Sequence, residues 1–326
     1  MILGRRGIDT RVRLRRFGKW FKRKVLHQEW MADAFASPAK QGRLLSDKVR
    51  CTGFREAILR TVKPGDTVVD LGAGTGLLSF FALQAGARHV YAIELSRISE
   101  IARELIDANG FQKQITVIPN ISTKVRLPER CDVLISETLS SFGFDSENII
   151  ESITDARKRF LKPEGRIIPE SAQTLLVPFS SDDFGVGSIP QPFYGLNYQP
   201  YRKQLFDQPF LMRASGEAFV ELSAPAVCHK LDFSRDSQIP GKSITPFRIS
   251  RDGRLDGFLG WFEAQLAPGV AIGNSPYLPH NNWWQLYFPV LDQSDVRAGQ
   301  LIILELEPKT IADEIKWSYT VRSLER

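Results

Sequence analysis

Short apolar runs alternate with amphipathic stretches through the first half of the chain. The runs have the length of strands, and the stretches between them have the spacing of helices. Strands are predicted at residues 68–70, 89–93, 115–118, 131–136 and 166–168, and helices at 43–62, 76–86, 96–109 and 147–161. This alternation predicts an α/β fold with a parallel, doubly wound sheet.

The pattern changes after Pro169, where helical spacing fades and proline becomes more frequent. Strand-like stretches follow at 218–222, 258–266, 284–290 and 301–306. We therefore predict a basic N-terminal arm at 1–26, a Rossmann-like domain at 27–169 and a β-rich domain at 170–326 with an inserted segment near 178–206. No apolar run approaches the roughly 20 residues of a membrane-spanning helix.

The composition is ordinary for a globular protein, with 43% hydrophobic and 25% charged residues. A length of 326 residues allows a large core and two domains. The three cysteines are far apart without a CxxC pair, and the four histidines lack metal-ligand spacing. The chain is therefore predicted to work without a metal in a reducing compartment, the cytoplasm.

The net charge of +6 comes from the arm, because residues 1–26 hold ten Lys and Arg and one acidic residue. The remaining residues carry 33 basic and 36 acidic side chains, a net charge of −3. Phe17, Trp20, Phe21 and Val25 share one helical face of the arm. Such a helix either binds an anionic membrane surface, a nucleic acid or an acidic partner, or packs on the body of the protein; we weigh these alternatives equally.

The segment from Asp70 to Leu77 reads DLGAGTGL and follows the first predicted strand. Glycine is expected in such a turn because a ligand approaches the backbone where a Cβ would block it. The dinucleotide fingerprint G-x-G-x-x-G would place its third glycine at position 77, which is Leu77. The order D-x-G-x-G-x-G instead resembles the S-adenosylmethionine loop of Rossmann-like class I methyltransferases.

Carboxylates stand at the ends of three predicted strands, at Asp70, Glu94 and Glu137. Doubly wound sheets bind ligands at these ends, and a carboxylate after the second strand can accept both ribose hydroxyls of a nucleoside. The stretch after Glu137 adds Asp145 and Glu147 without any basic residue. Such like charges are costly unless a sulfonium, an amine or a guanidinium joins them, although Asp145 and Glu147 are also typical of a helix start.

From about residue 42 to its C-terminus, the chain resembles the protein arginine methyltransferase family. The segments that carry the resemblance are LSDKVR at 45–50, VVDLGAGTGLLSFFALQAGARHVYAIELS at 68–96, SE at 136–137 with a later Glu, LKPEGRIIPE at 161–170, FYGL at 193–196, GFLGWF at 257–262 and NW at 282–283. One such motif has little specificity, whereas this many in the same order are specific.

The resemblance implies transfer of a methyl group from S-adenosyl-L-methionine to the guanidinium of arginine in a protein or peptide. It also implies a Rossmann-like domain followed by a β-barrel domain, and a homodimer. Glu137 and Glu147 match the catalytic pair that grips the guanidinium, and Asn282 and Trp283 match a substrate-binding loop. The implied cofactor-binding residues are Arg50, which matches the arginine that holds the cofactor carboxylate, and Asp70, Gly72, Ala73, Gly74, Gly76, Leu77, Glu94 and Ser96.

The acceptor motifs depart from the family pattern while the cofactor motif is kept. Glu147 follows Glu137 by ten positions, one more than is usual in the family, and Ser146 has the expected place. The family's Thr-His-Trp motif reads Asn281-Asn282-Trp283, without its histidine. Two alternatives therefore stay open. One is a methyltransferase of a free small guanidine or amine, and the other is a non-catalytic protein that binds the cofactor and a partner.

Overall fold

A computed structural model describes residues 36–145, 148–182, 192–205, 208–279, 281–290, 295–311 and 314–324. Three sequence predictions fall outside the described residues. They concern the basic arm at 1–26, Glu147, and positions 183–191 and 206 of the inserted segment.

Two helices occupy the stretch where the sequence predicted a single helix over 43–62. Helix α1 spans Pro38–Ser46 and helix α2 spans Lys48–Thr61. Asp47 separates them because its side chain accepts a hydrogen bond from the backbone N–H of Arg50 at 3.0 Å, which caps α2. The other helices are α3 (Leu77–Gln84), α4 (Ile98–Ala108), α5 (Ile149–Arg159) and α6 (Gln199–Leu205).

The predicted parallel sheet is confirmed. Its strands are β1 (Thr67–Leu71), β2 (His89–Ile93), β3 (Ile115–Ile118), β4 (Cys131–Ser136) and β5 (Leu161–Ile168). They lie in the order β3-β2-β1-β4-β5, and every pair is parallel. The strand order therefore reverses direction between β1 and β4, and doubly wound sheets bind ligands at such a switch point.

Strands dominate the rest of the chain, as the sequence predicted, and the structure shows that they pair antiparallel. They are β6 (Ser171–Ser180), β7 (Phe210–Met212), β8 (Val220–Glu221), β9 (Ala226–Asp232), β10 (Ser243–Arg248), β11 (Gly253–Arg254), β12 (Gly257–Ala267), β13 (Val270–Gly273), β14 (Gln285–Pro289), β15 (Asp295–Val296), β16 (Leu301–Ile311) and β17 (Glu314–Leu324). The largest sheet has the order β7-β14-β12-β6-β8, with β13 on β12 and β9 on β6. A second sheet has the order β10-β16-β17, and β11 pairs with β15.

One continuous hydrophobic core joins the parallel sheet to the antiparallel strands. Phe54 of α2, Phe142 after β4 and Phe262 of β12 belong to it and are fully buried. Each such phenyl group stabilises the fold by about 1.5–3 kcal/mol on burial. The loop at the carboxyl end of β4 is therefore held against the antiparallel strands. None of the helices that the structure describes is long and apolar enough to cross a membrane.

Candidate active site

A cavity of about 1100 Å³ lies at the carboxyl ends of the parallel strands. The loops after β1, β2 and β4 form one wall, α1 forms a second, and residues 282–284 before β14 form a third. Ligand pockets commonly measure roughly 300–1,000 Å³, so this cavity has room for a nucleoside-sized ligand together with the side chain of a second molecule.

The glycine loop after β1 has the backbone conformation that its sequence requires. Gly72, Gly74 and Gly76 have φ of +69°, +55° and +83°, a region that favours glycine. A Cβ at Gly74 would lie 3.2 Å from Oε1 of Gln41, and a Cβ at Gly72 would lie 3.0 Å from Cγ2 of Thr138. The loop therefore presents bare backbone to the cavity, and Gly76 is the N-cap of α3.

Glu94 at the end of β2 is tied to the glycine loop. Its Oε2 accepts a hydrogen bond from the backbone N–H of Gly74 at 2.9 Å, and its Oε1 accepts one from the backbone N–H of Ser96 at 2.8 Å. Glu94 and Ser96 both line the cavity. Because a carboxylate oxygen can accept more than one hydrogen bond, Glu94 keeps acceptor capacity toward the cavity.

Asp70 lies behind the glycine loop and not on the cavity surface. Its side chain is fully buried, and its Oδ2 accepts a hydrogen bond from the hydroxyl of Ser79 at 2.7 Å. Its Oδ1 has no hydrogen-bond partner among the described residues. Burial raises the pKa of the Asp70 carboxyl to about 7. The predicted contact of Asp70 with a cofactor therefore has to be indirect, through the loop that Asp70 supports.

Most of the predicted cofactor-binding residues face the cavity. Those that line it are Arg50, Gly72, Ala73, Gly74, Leu77, Glu94 and Ser96. Asp70 and Gly76 are the two that do not, since one is buried under the loop and the other starts α3.

The carboxylate of Glu137 binds a guanidinium of the same chain. Arg50 donates from Nε to Oε2 of Glu137 at 2.6 Å, and its Nη2 donates to the same oxygen. Both side chains are largely buried in the cavity wall. Burial raises the pKa of the Glu137 carboxyl, and the Arg50 guanidinium opposes that shift. The end of β4 is therefore a position where a buried carboxylate accepts paired N–H donors.

The loop after β4 turns sharply between Ser140 and Gly143, whose backbone N–H groups donate to each other's carbonyl oxygens. Gly143 has φ of +83°, and a Cβ there would lie 3.3 Å from Cβ of Phe262. The turn brings Asp145 back to Ser140, whose hydroxyl donates to Oδ1 of Asp145. Asp145 lines the cavity four residues before α5. It therefore does not lie in the first turn of that helix, where the sequence analysis allowed for it.

The loop before β14 connects both sides of the cavity. The backbone N–H of Asn282 donates to Oδ2 of Asp47 at 2.9 Å, and its Nδ2 donates to the carbonyl of Arg43 at 2.8 Å. Trp283 donates from Nε1 to the carbonyl of Leu139 at 2.9 Å. Asn282 and Trp283 line the cavity as predicted, and they also hold α1 and the loop after β4 in place.

Sequence reasoning missed several cavity residues that carry no motif of their own. They are Lys40, Gln41 and Arg43 of α1, Asn120 and Ser122 after β3, and Arg213 with Trp284. Arg213 lies over the ring of Trp284 with its Cζ 5.5 Å from the centroid. These residues come from segments that are distant in the sequence, and only the folded structure shows that they line one cavity. Within the described ranges, His, Cys, Asp and Glu side chains form no group of three or more that could hold a metal ion.

The family model and the curated proteins that match this chain are described as methyltransferases. A family model described as ribosomal protein L11 methyltransferase (PrmA) matches residues 54–170, from α2 to just beyond β5. The histone-arginine methyltransferase CARMER of Drosophila yakuba is 31% identical over 286 residues, which cover 81% of this chain and 54% of that protein. The CARMER protein of Drosophila ananassae has the same identity and coverage. The chain thus spans about half the length of the curated relatives it matches.

Solved structures share the fold. A chain of the Trypanosoma brucei PRMT1 enzyme–prozyme heterotetrameric complex with AdoHcy has a TM-score of 0.78 at 21% identity, covering 90% of this chain and 100% of that chain. Arabidopsis thaliana protein arginine methyltransferase 10 has a TM-score of 0.77 at 24% identity, covering 89% of this chain and 94% of that chain.

Proposed function

Because the chain belongs to the protein arginine methyltransferase family, we propose that it transfers a methyl group from S-adenosylmethionine to a guanidinium nitrogen of arginine in a protein or peptide. Glu137 carries the proposal. Its buried carboxylate lies in the same cavity as the glycine loop and binds the guanidinium of Arg50.

The cavity residues fit the cofactor. The bare backbone at Gly72 and Gly74 allows a nucleoside to approach, and the spare acceptor capacity of Glu94 suits ribose hydroxyls. Arg50 supplies a positive charge for a carboxylate. S-adenosylmethionine supplies an electrophilic methyl group on a positively charged sulfur.

Glu137 would position the acceptor and take up charge. It holds two N–H groups of the acceptor guanidinium, so that the remaining nitrogen points at the methyl carbon. The nitrogen lone pair forms the new N–C bond as the S–C bond breaks and S-adenosylhomocysteine leaves. The carboxylate stabilises the positive charge that remains on the guanidinium until the proton on the methylated nitrogen passes to a base or to water.

Product mapping tests the proposal. The full chain is incubated with isotope-labelled S-adenosylmethionine and a panel of arginine-containing proteins and peptides, and the label is located by mass spectrometry. We expect label on guanidinium nitrogens only. Label on oxygen or carbon, with arginine unmodified, would contradict it.

Two other outcomes correspond to the alternatives. Turnover of free small guanidines, with none of peptides that contain arginine, would indicate a small-molecule acceptor. Cofactor binding without transfer to any acceptor would indicate a non-catalytic protein.

We also propose that the protein forms a homodimer through the segment 192–205. Tyr194, Leu196 and Tyr201 of this segment are 90%, 59% and 52% exposed, and exposed apolar groups so close together favour an interface. Light scattering checks this against a Tyr194→Ser variant, which we expect to be monomeric. A monomeric parent chain would contradict the proposal.

A cytoplasmic location remains a proposal, which the cysteines support. Cys51, Cys131 and Cys228 are all free thiols in the fold. Imaging of the tagged chain checks it, and export from the cytoplasm would contradict it.

A further inference from the structure

Asp145 is a carboxylate of the cavity that the family resemblance did not include in the catalytic pair. Its Oδ1 accepts a hydrogen bond from the hydroxyl of Ser140, and its Oδ2 accepts one from Nε1 of Trp317 at 3.2 Å. Both donors are neutral. Each oxygen of a carboxylate can accept a further hydrogen bond, so Asp145 keeps acceptor capacity in a cavity that it lines.

No basic side chain compensates the charge of Asp145 among the described residues. Arg50, the basic residue on this wall, pairs with Glu137 and not with Asp145. Burial raises the pKa of the Asp145 carboxyl, while the hydrogen bonds from Ser140 and Trp317 oppose the shift. A carboxylate kept from water without a cation is unfavourable, and the binding of a cation relieves that cost.

The segment between Glu137 and Asp145 is held at three points by residues of β17 and of the connection between β13 and β14. Trp283 donates to the carbonyl of Leu139, Asn274 donates from Nδ2 to the carbonyl of Ser141 at 2.8 Å, and Trp317 donates to Asp145 itself. Such anchoring fixes the two carboxylates relative to each other before a ligand arrives. A fixed pair of acceptors is what the planar N–H groups of a guanidinium recognise.

We infer that Asp145 is the second carboxylate that binds the acceptor guanidinium, together with Glu137. The inference rests on the proposed function, and it assigns to Asp145 the role that the family resemblance gave to Glu147. The tight turn at Ser140–Gly143 brings Asp145 back to Ser140, and Asp145 lines the cavity together with Glu137. Trp317 is then a positioning residue.

Binding of a defined probe tests the inference without requiring turnover. The full chain is saturated with S-adenosylhomocysteine and titrated with the peptide acetyl-Gly-Gly-Arg-Gly-Gly-amide in a calorimeter. The same peptide with citrulline in place of arginine keeps the shape of the side chain and removes its charge. We expect Asp145→Asn to weaken binding of the arginine peptide about 10-fold or more and to leave binding of the citrulline peptide unchanged.

Matched variants separate charge from folding. Asparagine can accept from Trp317 through its oxygen and donate to Ser140 through its amide, so Asp145→Asn should keep the loop in place. Asp107→Asn makes the same chemical change at an exposed position outside the cavity and should have no effect. Glu147→Gln should change arginine-peptide binding less than about threefold. Trp317→Phe is the second variant, to be used if Asp145→Asn does not fold. It removes one hydrogen bond to Asp145 and should weaken binding of the arginine peptide but not of the citrulline peptide.

The outcomes are distinct. Equal binding of the arginine peptide by the parent chain and Asp145→Asn overturns the inference, as does a large loss confined to Glu147→Gln. If methyl transfer to arginine persists in that case, the proposed function stands. Arginine-specific binding through Asp145 in a chain that transfers no methyl group supports the inference and overturns the proposed function.

Discussion

The cavity has a glycine end, formed by the loop after β1, and an acceptor end, at Glu137 and Asp145, and the two present different chemical groups. At the glycine end, one continuous segment supplies bare backbone, and a carboxylate at the next strand end holds it through Gly74. At the acceptor end, the working groups are the side chains of Glu137 and Asp145. Trp317 of β17 donates to Asp145, and Trp283, in the loop before β14, donates to the carbonyl of Leu139 between them. The first end is therefore specified by local sequence, whereas the second depends on contacts between segments that are far apart in the chain.

The largest expected effect comes from a substitution that changes only the acceptor end of the cavity. Glu137→Gln should lower kcat/KM for methyl transfer about 1,000-fold, because an amide cannot form charge-assisted hydrogen bonds to the acceptor. Binding of S-adenosylhomocysteine, measured by calorimetry, should change less than about threefold, since the glycine loop is untouched. Glu129→Gln, at an ion pair with exposed Arg88, is the control and should leave both values unchanged. Activity of Glu137→Gln within tenfold of the parent would contradict this assignment.

A second test examines the support beneath the glycine end. Burial raises the pKa of Asp70 from 3.8 to about 7, so folding favours its protonated form. The resulting stabilisation is present below pH 3.8 and is lost as the pH rises through 7. Between pH 5 and 8, the free energy of unfolding of the parent should fall about 3 kcal/mol relative to Asp70→Asn. Chemical denaturation at each pH measures it, and parallel pH profiles would refute it.

A third test changes only the glycine end of the cavity. Gly74→Ala places a side chain at φ of +55° and 3.2 Å from Gln41, so S-adenosylhomocysteine should bind about 100-fold more weakly. Gly110→Ala is the matched control. Its φ is +77°, and a Cβ there meets nothing within 4 Å, so it should lose similar stability and keep its affinity. Equal affinities of the two variants would show that the loop does not contact the cofactor.

The smallest expected effect concerns the link between the two ends. Asn282→Ala removes the hydrogen bond to the carbonyl of Arg43 and should weaken S-adenosylhomocysteine binding about fivefold, equivalent to about 1 kcal/mol. Asn109→Ala removes a bond of the same kind, from Nδ2 to the carbonyl of Leu105, but at an exposed helix end. We expect it to leave binding unchanged. If both variants bind equally well, the loop before β14 does not position α1.

The same contrast explains what could be predicted from sequence. Strands β2, β3 and β4 match the predicted bounds, because each is a short apolar run with turn residues on both sides. Strands β9 and β10 were missed. Their residues alternate between exposed and less exposed positions, and partner strands fix their register, β9 pairing with β6 and β10 with β16.

The site shows the same division. Glycine spacing and strand-end position identified Gly72, Gly74 and Glu94, which line the cavity. Spacing alone could not place Asp145, because its exposure to the cavity depends on the turn at Ser140–Gly143 and on Trp317. The glycine at the end of that turn was the signal available in the sequence, since turns of this kind favour glycine.

The contact between Arg50 and Glu137 has a consequence for which acceptors can succeed. Under the proposed function, the fold carries its own competitor for the acceptor's carboxylate. A tethered group competes at an effective concentration of about a millimolar or more. A dilute free guanidine makes no contacts outside the cavity that would offset this competition. An arginine within a larger protein can displace the internal group by adding contacts outside the cavity, so the pair acts as a filter against small solutes.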